Sequence, residues 1–133
     1  VTFGAGGIAC HADRFLVVGG LPKDVNENYL YEYDASFKLI KKHILKSGYT
    51  LMGIQTACFA DNKWWFGCYG SKLLTADVNF NFSAKYDLDC ALGIDRVNDK
   101  LLLIGRNTKS GKQYKGQALL AVPDADKGFI IRK

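Results

Sequence analysis

The sequence predicts an all-β fold built from three four-stranded units, on three observations. First, a two-part pattern is written three times. The first copy reads GIACHADRFLVVGG (7–20) and then YLYEYDASFKL (29–39). The second reads GIQTACFADNKWWFGCYG (53–70) and then KLLTADVNFNF (72–82), and the third GIDRVNDKLLLIGR (93–106) and then ALLAVPDADKGF (118–129). Second, an aspartate anchors the second half of each copy, at Asp34, Asp77 and Asp124, spaced 43 and 47 residues apart. Third, the stretches between turn signals have the length of strands rather than helices. A repeat of about 40–50 residues made of short strands is how the blades of a β-propeller read. The predicted blades cover about 5–47, 53–91 and 93–133 within a single domain.

Each copy divides into four strands, most clearly in the second: Gly53–Ala60, Lys63–Tyr69, Lys72–Asp77 and Phe82–Leu88. The turn between its first two strands is Asp61–Asn62, a favoured tight-turn pair. The matching turns are expected at Ala12–Asp13 and Asn98–Asp99. The turn between the last two strands centres on Val78–Asn79, with Asp77 placed to cap it, and recurs at Ala35–Ser36 and Ala125–Asp126. FKLIKKHILK (37–46) has an amphipathic helical pattern, but its counterpart FSAKYDLDCA (82–91) does not. Repeats share one structure, so 37–46 is read as an outer strand whose lysines and His43 face water. The second strands, FLVVGG, WWFGCYG and LLLIGR, are apolar on both faces, as strands covered on both sides are. Trp64 and Trp65 then point to opposite faces and pack against different neighbours. Gly19–Asn28 and Asn107–Gly116 are expected as enlarged loops on one side of the molecule, where repeat proteins often bind.

Composition bounds the rest. At 133 residues with 48% hydrophobic content the chain can bury a core, which excludes a disordered protein. The net charge of +5 comes mostly from lysines interleaved with acids and matches no nucleic-acid motif. No run reaches the ~18 apolar residues of a membrane-spanning helix. No nucleic-acid or membrane partner is therefore expected. The chain starts at Val1 rather than Met, so processing or membership of a longer polypeptide is expected. Cys10, Cys58, Cys68 and Cys90 show no C-x-x-C spacing, which argues against zinc, and they read as small buried thiols. No metal or cofactor is expected.

Three blades do not close a ring, since four to eight are typical. The expected remedy is a homo-oligomer, most simply a dimer completing a six-bladed ring, or further blades outside this chain. WWFGCYG with its following strand, and the GIQTA-type inner strand, resemble secreted bacterial β-propeller proteins of unassigned function. That resemblance implies six blades, a ligand site at the channel mouth and a secreted or periplasmic location. It transfers no catalytic residue, and the S-x-D-x-G-x-T-W box of sialidase-like propellers is missing.

The innermost strands of such a ring line its channel. Gln55, Asp95 and Arg96 at their starts, with Tyr69, Arg106 and Lys109 from the neighbouring loops, are the candidate mouth residues. Asp95, Gln55, Tyr69, Arg106 and Lys109 form the predicted ligand site. Arg106 leads, because a guanidinium grips a carboxylate or phosphate through two parallel hydrogen bonds. His11 is expected at the opposite mouth. The functional expectation is a non-catalytic binding or scaffold module for a small polar or anionic ligand. The alternative is a lactonase- or glycosidase-like hydrolase using Asp95 with a second acid such as Asp89, or a metal.

Overall fold

The computed structural model describes residues 1–133 and is all-β: twelve strands in three four-stranded antiparallel sheets. The first sheet holds β1 (Ala5–His11), β2 (Arg14–Gly19), β3 (Asn28–Tyr33) and β4 (Leu39–Leu45). The second holds β5 (Ile54–Ala60), β6 (Lys63–Cys68), β7 (Lys72–Ala76) and β8 (Phe82–Tyr86). The third holds β9 (Gly93–Asn98), β10 (Leu101–Ser110), β11 (Gln113–Asp124) and β12 (Gly128–Ile131). Within each sheet the strands follow one another in chain order. The segment 37–46 is the strand β4, not a helix.

Local chemistry sets the turns. Ala12–Asp13 and Asp61–Asn62 close two-residue hairpins with positive φ at both positions, the geometry that matches strand twist. The corresponding turn of the third sheet is Asp99–Lys100, without positive φ at either residue and one residue later than the sequence suggests, because Leu101 pairs with Asn98 and a bulge follows before Leu102. The recurring aspartates cap the other turns. Asp34 Oδ1 accepts from the amides of Ser36 and Lys38, each at 2.9 Å. Asp77 Oδ1 accepts from Asn79 and Asn81 at 2.8 and 2.9 Å, and Asp124 Oδ1 from Asp126 and Lys127 at 2.9 and 2.8 Å.

The core is two hydrophobic clusters separated by the second sheet. One joins Leu16, Val18, Leu30 and Leu45 of the first sheet to Trp64, Phe66 and Leu74. The other joins Trp65 and Leu73 to Ile94, Leu102, Ile104, Ala121 and Phe129 of the third. Successive β6 side chains thus serve different neighbours, as period-2 alternation requires. The first strands lie side by side, β5 between β1 and β9. Gly67 marks a tight crossing, where a Cβ would sit 2.3 Å from the Cys90 carbonyl oxygen and 2.4 Å from Thr56 Oγ1.

Three expectations need correction. Asn107–Gly116 is not a loop: β10 and β11 pair on to Ser110 and Gln113, a two-stranded ribbon turned by Gly111 at φ 60°. Gly111 permits the tight turn, and Thr108 and Tyr114 on its two sides suit strands, so a hairpin is favoured over an irregular loop. His43 is not solvated. It faces the second sheet, stacks on Phe80 at 4.1 Å and contacts Glu32 Oε2 at 2.7 Å. Cys10 is exposed, while Cys58, Cys68 and Cys90 are buried, and all four are free thiols.

Candidate functional site

The largest concave space, about 690 Å³, is bounded by the first strand of every sheet. Its walls are Ile8–Asp13 from β1 and its turn, Ala57–Phe59 from β5, and Ile94–Arg96 from β9. That volume falls within the range of small-molecule pockets. The strands meet here because β5 lies between β1 and β9 and close to both.

The polar groups are held by local bonds. Asp95 Oδ1 accepts the Arg96 amide at 2.8 Å, which fixes the carboxylate. Arg96 Nη1 pairs with Asp99 Oδ1 at 2.9 Å across the turn. The His11 ring stacks on Phe59 with centroids 3.5 Å apart and meets the edge of Trp64 at 6.0 Å. Burial lowers the His11 pKa from 6.5, the Arg96 charge lowers it further, and Asp99 opposes them. These effects favour the neutral imidazole. Burial pushes the Cys58 thiol up to about 11, reinforced by Asp95 and opposed by Arg96. A thiol so raised is mostly protonated at neutral pH, which disfavours it as a nucleophile. The wall thus offers fixed donors and acceptors beside an aromatic surface.

Of the predicted ligand residues, Asp95 alone lines this cavity. Gln55 stands at the foot of β5, where its Nε2 donates to the Met52 carbonyl at 3.1 Å. Tyr69 lies in the turn after β6. Arg106 and Lys109 share the ribbon: Arg106 Nε donates to Gln117 Oε1 at 3.0 Å, and Lys109 Nζ lies 5.4 Å from the Tyr114 ring centroid. Asp89 is engaged by backbone, with Oδ1 accepting from Ala91 at 2.9 Å and Oδ2 from Asn107 at 3.0 Å. No three His, Cys, Asp or Glu side chains converge as metal ligands.

Sequence reasoning set Asp95 at a strand start and His11 at the far end. Both line one cavity. By pairing register, Asp95 opposite Leu103 occupies the place of Cys58 opposite Trp65 and of Ala9 opposite Leu16. No protein-family model matches this chain, and no curated protein matches its sequence.

Proposed function

We propose that the three sheets are three blades of a β-propeller, and that the concave side lined by β1, β5 and β9 binds a small polar ligand without transforming it. The blade reading rests on consecutive four-stranded meanders packed face to face with their first strands adjacent. A full ring of six such sheets needs a second chain or further sheets beside this one. The observation that carries the binding reading is the cavity to which every first strand contributes. Its chemistry favours binding over hydrolysis. Cys58 is protonated, Arg96 is ion-paired, and the second acid required by a carboxylate pair, Asp89, is occupied by two backbone amides. Paired charges beside the His11–Phe59 stack suit a neutral, polyhydroxylated, glycan-like ligand.

A second reading places an anionic ligand at the ribbon. Arg106, Lys109, Lys112 and Lys115 lie there with no acid between Arg106 and Gln117, so the local field is positive. One experiment separates the two. Ligand-observed NMR with a panel of monosaccharides and short carboxylates is run on the native chain, Asp95→Asn and Arg106→Ala. Saccharide hits lost with Asp95→Asn support the cavity, and carboxylate hits lost with Arg106→Ala support the ribbon. Equal binding of every hit by all three proteins refutes both, and no hits at all leave a scaffold role.

A further inference from the structure

The sheets, compared position by position, show two faces that are less covered than their counterparts. Ile8, Ala57 and Ile94 occupy one place, on the first strand and opposite Val17, Phe66 and Ile104. Ala57 and Ile94 each have a preceding sheet packed on them and are 8% exposed, whereas Ile8 is 59% exposed; beside it on that face Val17 and Tyr31 are buried, with Thr2 bonded to the Tyr31 hydroxyl and Phe3 against Tyr29. Leu16, Trp65 and Leu103 occupy another place, the second strand's opposite face. Leu16 and Trp65 have a following sheet packed on them and are 1% and 0% exposed, whereas Leu103 is 43% exposed. Leu120 and Ile130 lie bare on the same side as Leu103.

The partly bare face of the first sheet, open at Ile8, is thus the kind that receives a preceding sheet, and that of the third is the kind that receives a following one. We infer that a second copy of this chain covers both, the third sheet of each copy packing on the first sheet of the other. Both junctions are then alike and repeat the two packings already present within the chain. Two-fold symmetry closes the assembly at six sheets, without open ends. The area suffices. Four strands about 4.8 Å apart and six residues of about 3.3 Å give a face of roughly 380 Å². Two faces at each of two junctions bury at most roughly 1,500 Å², which reaches the 1,200–2,000 Å² of specific interfaces. The ligand consequence is a single channel shared by two chains, with β9 of one copy beside β1 of the other, so that Asp95 and His11 line it twice. This inference rests on the propeller reading above.

Charge pairs test the geometry. Light scattering of the native chain should give twice the chain mass at micromolar concentration. Ile8→Lys and Leu103→Glu should each give a single-chain mass. Both positions are open to water in the lone chain, so these variants keep the native circular-dichroism spectrum; Leu120→Glu replaces Leu103→Glu should that variant lose it. Mixing the two variants should restore the doubled mass, since one junction then sets lysine against glutamate and the other is native. A monomeric native chain, variants that stay dimeric, or a mixture that stays monomeric overturns the inference. A face-to-face dimer of two first sheets gives no rescue on mixing and is one such outcome. Ligand titration is read separately: a native monomer that binds saccharide overturns the assembly and spares the site, and a dimer that binds nothing does the reverse.

Discussion

Replacing Trp65 by alanine removes the largest fully buried side chain, from the strand that both core clusters share. Its ring lies 4.4 Å from that of Phe129, and its Nε1 donates to the Ala60 carbonyl at 2.9 Å. Truncating a buried aromatic to alanine costs about 3–5 kcal/mol, because a sheet-to-sheet gap collapses only in part. The Ala60 carbonyl also loses its donor, adding about 1 kcal/mol. Trp65→Phe keeps most of the ring and isolates that second contribution, so it should cost about 1–2 kcal/mol. Urea unfolding followed by far-UV circular dichroism measures both: the midpoint should fall with the slope unchanged. A loss below about 1 kcal/mol for Trp65→Ala in a folded protein refutes the reasoning, because it means the indole is not wedged between the second and third sheets.

Other outcomes follow from the same packing. Gly67→Ala should destabilise by about 1–3 kcal/mol, since a Cβ there displaces the Thr56 hydroxyl from the Cys90 carbonyl, and urea titration checks it. The His11 imidazole should titrate below 6.5 by NMR, and Arg96→Ala should raise its midpoint. The unfolded chain takes up that proton more readily, so the His11 contribution to stability is present above about pH 6.5 and lost as pH falls through the folded-state value. Hydrogen bonds from the Asn81 backbone and side chain hold Asp77 below the usual carboxylate range. Its contribution is present at neutral pH and lost on acidification through its folded value, so Asp77→Ala should flatten the acid limb of the stability profile. Cys58, Cys68 and Cys90, buried and pushed up to about 11, 12 and 12, should resist a thiol reagent until the chain unfolds. Cys10 alone should react in the folded state, faster in Ile8→Lys than in the native protein.

The sequence is most legible where the physics is local. Asp34, Asp77 and Asp124 cap their own turns, so a recurring aspartate announces a recurring hairpin. WWFGCYG is apolar on alternate positions of both parities, which requires cover on both faces, and Trp64 and Trp65 do enter different clusters. What the sequence hid depends on partners far along the chain. The ribbon of β10 and β11 arises from pairing across Gly111 that composition alone does not distinguish from a polar loop. The bulge at Leu101–Leu102 shifts the register of β9, and with it the place of Asp95. His43 carries the mark of a solvated strand, an imidazole among lysines, yet the facing Phe80 and Glu32 draw it inward.

The second sheet lies between the other two, and each tryptophan serves one neighbour. Nuclear Overhauser effects from the two indoles test it directly. The Trp64 ring should show cross-peaks to His11 of the first sheet, whose ring centroid lies 6.0 Å away, and the Trp65 ring to Phe129 of the third, at 4.4 Å. Cross-peaks from both indoles to one neighbouring sheet, or from neither, would contradict the account.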